Sequence, residues 1–219
     1  MRLLSEYINN DFKPFTPADT VGEIQDFFAD SSYSHFPLLD HGVYLGCISS
    51  VDSETFESEK NLFDYRYAFE GFFVRDTMIW LDVLEVFARN NANVVPILDA
   101  NNLYMGYYEI TDVIKFLNET PFLKETGGII VVEKPTADYS MSQITQIVES
   151  NNGKLLGVFV SEANAEKVQV TIKTTLGSVN EIIQTFRRYN YEIVSEHNED
   201  NYLNNLKERS EYLDKYLNM

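Results

Sequence analysis

Between residues 15 and 120 the apolar positions follow one plan twice. In the first pass, FTPADTVGEIQDFFADSSYSHFPLLDHGVYLGCISSVD (15–52), Ile24, Phe27 and Phe28 recur at helical spacing. Thr20 with Glu23 three residues on is a capping box, which predicts a helix from Val21. Two short apolar runs follow, FPLLD and the run after His41-Gly42, and they read as a hairpin. The second pass, FFVRDTMIWLDVLEVFARNNANVVPILDANNLYMGYYEITD (72–112), repeats this order. Thr77 is its expected N-cap, Val83, Leu84, Val86 and Phe87 its stripe, and Asn101-Asn102 its hairpin turn. Pro37 and Pro96 lie 59 residues apart, Gly46 and Gly106 lie 60 apart, and so do Asp52 and Asp112. Neither unit alone would cover both faces of so small a sheet. Two units packed face to face would.

The pattern then changes. Residues 128–196 read strand, helix, strand, strand, helix, strand: GIIVVE, a helix capped by Ser140 with Gln143, KLLGVFVS, KVQVTIKT, a helix capped by Ser178 with Glu181, and YEIVS. Val179, Ile182, Ile183 and Phe186 share one face of the second helix. Thr126-Gly127-Gly128 marks the boundary. The reading is therefore 1–126, with units at about 10–58 and 68–120, then 127–197, then an amphipathic helix at 198–219 carrying Tyr202, Leu206, Leu213, Tyr216 and Leu217.

Charge narrows the function. The 219 residues carry 34 acids against 17 bases, and residues 1–126 alone hold 21 acids and 8 bases. A chain this acidic argues against nucleic-acid binding and against an anionic membrane surface. The N-terminal stretch has no apolar run suited to a signal peptide, and no stretch suits membrane insertion. With a single cysteine, Cys47, a cytoplasmic protein is expected. The three histidines, His35, His41 and His197, lack metal-ligand spacing, and no nucleophile elbow or phosphate-binding glycine loop is present. No catalytic residue, metal or cofactor is expected.

A helix, an aliphatic-Pro-aliphatic-aliphatic-Asp strand and then Gly-x-x-Ser/Thr-x-x-Asp resembles the CBS domain, which occurs in tandem pairs. The second half resembles the ACT domain. Together they resemble the bacterial AcuB-like group, named for acetoin utilisation. The resemblance implies an α+β fold: two βαββα-type units about a pseudo-twofold, then a ferredoxin-like βαββαβ domain and a C-terminal helix. It also implies a regulatory homodimer that senses an adenosine-containing ligand such as AMP, ADP, ATP or S-adenosylmethionine. Residue by residue it assigns Asp52 to ribose hydroxyls, Ser49 to sugar or phosphate, and His35 to a basic phosphate contact. Asp112 keeps the ribose position of the second unit, and Arg75 could reach a phosphate.

The second unit departs from the motif. Glu109 stands where Ser49 stands in the first, and Val94 where His35 stands. A desolvated carboxylate would repel a phosphate by something on the order of several kcal/mol. Any nucleotide site is thus expected to be asymmetric, at Ser49 and Asp52, and to favour a neutral or weakly charged adenosyl ligand. In the second half KPTADYS lacks the glycine of the ACT effector loop, which favours an assembly role. Plainer readings stay open: Asp52 and Asp112 as helix caps, His35 as a packing residue, and the aromatic stretch DYRYAFEGFF (64–73) as a linker. So does a second function, a scaffold that binds a protein partner and no nucleotide.

Overall fold

In a computed structural model describing residues 4–175 and 179–195, Thr20 opens the first helix as the capping box requires. Its hydroxyl oxygen accepts from Glu23 N–H at 3.3 Å, and the Glu23 carboxylate accepts from Thr20 N–H at 2.9 Å. Helix α1 (Val21–Asp30) buries Val21, Ile24 and Phe28. Strands β1 (His35–Asp40) and β2 (Val43–Ser49) form an antiparallel hairpin. Its turn holds His41 and Gly42 at positive φ, as a tight hairpin turn demands. A short helix, α2 (Ser50–Glu54), and a 3-10 segment (Leu62–Ala68) lead to the second repeat.

That repeat contains β3 (Val74–Arg75), α3 (Trp80–Arg89), β4 (Val94–Leu98), β5 (Tyr104–Glu109) and α4 (Ile110–Asn118). The helix start differs from the expectation. Ile79, not Thr77, is the N-cap of α3, and it makes no side-chain bond. The reason is local. Trp80 stands where Glu23 stands in the first repeat, so no reciprocal cap can form. Asp76 N–H instead bonds Leu98 O, and Met78 N–H bonds Arg75 O, which holds residues 76–78 in a turn.

The two repeats mesh about a pseudo-twofold. The residues preceding β1 and β4 exchange bonds: Ser34 N–H donates to Asn93 Oδ1 at 2.8 Å, and Asn93 N–H donates to Ser34 Oγ at 2.9 Å. Their carbonyls are used equivalently, Ser34 O by Ser50 N–H and Asn93 O by Ile110 N–H. Packing is shared in the same way. Val94 and Tyr107 of the second repeat join the core around Phe28, Phe36 and Ile48. Cys47 of the first packs with Val83, Phe87 and Val95 of the second. Each small sheet therefore finishes the other's core. This hydrophobic burial accounts for why the sequence needs two copies.

The described residues divide into two compact units, with the division between Leu117 and Asn118. In the second, β6 (Gly127–Pro135), β7 (Leu155–Ala163), β8 (Lys167–Thr175) and β9 (Glu192–Ile193) form an antiparallel sheet ordered β7-β8-β6-β9. Helices α6 (Met141–Ser150) and α7 (Val179–Arg188) supply Ile144, Ile147, Val148, Ile182, Ile183 and Phe186 to one core with Ile130, Val132, Val170 and Ile172. This is the expected ferredoxin-like βαββαβ order, and the class is α+β. Ser140 caps α6, accepting from Gln143 N–H, while the Gln143 carboxamide turns to Lys134. A short helix, α5 (Pro121–Lys124), precedes the sheet, and its Phe122 ring would clash with a Cβ at Gly157. Ser178, His197 and the helix expected at 198–219 lie outside the described residues.

Asn93→Ala should unfold the first unit at lower urea, by about 2 kcal/mol. It removes the acceptor for Ser34 N–H and the donor to Ser32 O at 2.6 Å. Fluorescence of Trp80, the single tryptophan, reports that unit. An unchanged midpoint would show that the exchange contributes nothing.

Candidate functional site

The first candidate cleft starts from strand register. His35 and Ser49 lie directly opposite across β1 and β2, so their side chains share a face. Ser49 is buried and is the N-cap of α2, its hydroxyl oxygen accepting from Asp52 N–H at 3.0 Å. Asp52 lies in the first turn of α2, half-buried. Its carboxylate has no hydrogen bond or ion pair among the described residues.

His35 is buried and engaged on both sides. Its Nδ1 is 2.9 Å from Ser34 Oγ, and its Nε2 is 3.2 Å from Glu70 Oε1. Phe72 meets the ring edge-on at 5.4 Å. Glu70 is delivered by the segment leading into the second repeat, whose backbone pairs with Cys47 through two 2.8 Å bonds. Gly46 permits that approach. It holds φ at +149°, and a Cβ there would lie 3.1 Å from Glu70 O and from Phe69 Cβ.

The second cleft reverses the chemistry. Val94 faces Glu109 across β4 and β5. Glu109 accepts from the Tyr33 hydroxyl at 2.7 Å and from Asn9 Nδ2 at 3.1 Å. Burial, then hydrogen bonding to Tyr107 and Glu109, pushes the Tyr33 hydroxyl well above the usual phenol range. Asn9 occupies on β5 the place Glu70 occupies on β2, exchanging backbone bonds with Tyr107 at 2.9 and 3.0 Å. The approach is closer here: a Cβ on Gly106 would stand 2.6 Å from Asn9 O. Asp112 is ion-paired with Lys115 at 2.8 Å and borders a hollow of about 300 Å³ formed with residues 6–11.

Of the five residues singled out by sequence, the structure thus gathers His35, Ser49 and Asp52. Arg75 lies at the other end of β4, paired with Leu98. It stacks on Phe73 at 4.9 Å and donates to Asp99 O and to Asn102 Oδ1. There it fastens the Asp99 turn. The backbone N–H of Leu103 and of Asn101, with the Arg75 guanidinium behind them, hold the Asp99 carboxyl below its usual range. Neither Asp52 nor Asp112 is a helix cap. Both lie inside the first turn, and in α2 the cap is Ser49. A separate depression of about 460 Å³ lies beside α1 and is lined by Tyr33, Ser34, Ser50 and Ser53; neither Ser49 nor Asp52 lines it.

Glu70, Asn9 and Tyr33 escaped the sequence reading. Their roles come from backbone pairing across the repeats, which no local motif encodes. Spacing gave no signal either: Asn9 lies six residues before the first repeat at 15, and Glu70 two before the second at 72.

In the second unit, the loop between β6 and α6 borders a depression of about 440 Å³ with Lys134, Asp138 and Asn190. Lys134 is already engaged. Its ammonium donates to Gln143 Oε1 at 3.2 Å and Tyr189 O at 3.0 Å, and it lies 4.2 Å above the Tyr191 ring. Among the described residues no three His, Cys, Asp or Glu side chains converge on a metal position, and no helix is long and apolar enough to cross a membrane.

No family model matches the sequence, and no curated protein matches it. Among solved structures, the chain is similar to a CBS domain pair/ACT domain protein from Thermotoga maritima, with 18% identity and a TM-score of 0.48 over 54% of this chain and 98% of that one. It is similar to the CBS domains of a transcriptional regulator from Streptococcus pneumoniae, with 17% identity and a TM-score of 0.45 over 52% and 98%. It is also similar to CBSX2 in complex with AMP, with 14% identity and a TM-score of 0.44 over 52% and 95%.

Cys47 borders the first cleft through its backbone bonds to Glu70, but its side chain is buried in the core. Burial pushes its thiol up to about 12, against a smaller opposing effect of the Tyr44 hydroxyl 3.4 Å away. Burial therefore keeps the thiol protonated and shielded from reagents. A disulfide-exchange reagent should label no thiol in the native chain and one thiol in denaturant. Rapid native labelling would contradict this placement.

Proposed function

We infer that the chain is a non-catalytic regulatory protein. Its first half acts as a CBS pair that senses an adenosine-containing metabolite, and its second half, an ACT-like module, assembles homodimers or relays the bound state. The observation that carries the sensing role is the contrast between the two equivalent aspartates. Asp112 is neutralised by Lys115, whereas the Asp52 carboxylate is partly exposed and without a protein partner among the described residues. A free carboxylate can accept from two vicinal hydroxyls at once, which is the chemistry a ribose presents. Ser49 adds a donor, since its hydroxyl oxygen accepts from Asp52 N–H and its proton remains available. A ligand bridging the two repeats shifts their equilibrium only if it binds one arrangement more tightly.

A second reading, a protein-binding scaffold without a nucleotide, draws on the segment between the repeats. Phe63 and Tyr67 of Leu62–Ala68 are 56% and 78% exposed, beside an acidic first half that would favour a basic partner.

Calorimetry of the full chain with adenosine, AMP, ADP, ATP and S-adenosylmethionine separates the two. The sensing role predicts one site, weakened at least about tenfold by Asp52→Ala and much less by Asp112→Ala. Absence of heat with every ligand at up to about 1 mM would refute sensing and leave the scaffold reading.

A further inference from the structure

Both clefts hold a carboxylate at the place where the two repeats meet, and they acquire it by opposite routes. In the first, the acid is Glu70, on the segment leading into a repeat, and its partner is His35, on a strand. In the second, the acid is Glu109, on a strand, and its partner is Asn9, on the segment leading into a repeat. Glu70 is fixed rather than wandering. Its backbone is bonded twice to Cys47, and its carboxylate is 3.2 Å from a ring nitrogen whose ring is itself anchored by Ser34. That histidine shares a strand face with Ser49. Glu70 is also open to ligand, its side chain 41% exposed against 10% for His35.

The geometry points to Glu70 as the residue that selects ligand charge in the Ser49–Asp52 cleft, excluding phosphorylated nucleosides and admitting neutral or cationic ones. This rests on the reading of that cleft as an adenosyl site. The argument is electrostatic. His35 is the only basic side chain tied to this set by a described contact, and its Nε2 is already engaged by Glu70. A phosphate arriving at Ser49 would meet Glu70 and Asp52, two carboxylates, with no further cation tied to them by a contact among the described residues. Arg75, the other candidate cation, is fastened to the Asp99 turn at the far end of its strand. A neutral nucleoside avoids the repulsion, and a sulfonium or ammonium on the ligand would be attracted.

The test is calorimetry of the full chain with adenosine and AMP, which differ by one phosphate, and with S-adenosylmethionine as a cationic probe. Wild type should bind adenosine at least about tenfold more tightly than AMP. Glu70→Gln keeps an acceptor for His35 and removes the charge. It should narrow that ratio at least about tenfold, by strengthening AMP binding while adenosine binding changes little. Glu70→Ala serves if the glutamine variant fails to fold, with Trp80 fluorescence reporting the fold. Glu149→Gln, an exposed acid on α6 of the second unit, should leave the ratio unchanged. Equal wild-type affinity for adenosine and AMP would overturn the proposal and leave the adenosyl site standing. An unchanged ratio in folded Glu70 variants, or equal narrowing in Glu149→Gln, would do the same. No binding of any of the three compounds would remove the site itself, and this inference with it.

Discussion

Ser34 and Asn93 meet where the two repeats turn toward each other, and each uses its side chain to bind the other's backbone. That exchange fixes the spacing of β1 and β4. Much of what distinguishes the clefts follows from it. With the strands held there, Val94 and Tyr107 enter one core and Cys47 the other, so neither repeat can be removed without opening its neighbour. The segments leading into each repeat are then drawn across the opposite hairpin, past Gly46 and Gly106. These crossings deliver Glu70 to one cleft and Asn9 to the other. A symmetric scaffold has thus been given unequal side chains at equivalent points.

The inequality is chemical more than geometric. Strand register and bulge position match between the repeats, both glycines hold positive φ, and the bridging backbone bonds are 2.8 Å in the first and 2.9 and 3.0 Å in the second. The differences are Ser49 against Glu109, His35 against Val94, and Glu70 against Asn9. In the second cleft the chain's own groups satisfy the acid, through Tyr33 and Asn9, and Lys115 neutralises Asp112. In the first, Asp52 is left over. An unsatisfied carboxylate at a partly exposed position costs the fold little and offers a ligand an acceptor.

Much of this was legible in the sequence because it is written locally. The repeat offset, the Thr20–Glu23 box, the His41-Gly42 turn and the βαββαβ order all rest on neighbours a few residues apart, where propensity and spacing decide. The start of α3 was misplaced because Thr77 resembles Thr20 while its partner position holds Trp80, which cannot close the box. The site was less legible. Ser49, Asp52 and His35 were singled out from motif position, but Arg75's service to the Asp99 turn and Glu70's grip on His35 depend on which distant segment crosses which strand. Residues 100 apart, such as Asn9 and Glu109, leave no periodic trace.

The central claim is that one of two equivalent clefts has been kept for a ligand and the other satisfied by the chain itself. The most direct measurement is a crystal structure of the full chain grown with adenosine. The account predicts ordered density with its ribose on Asp52 and none beside Asp112. Ligand in both clefts, or only in the one bordered by Asp112 and Glu109, would contradict it.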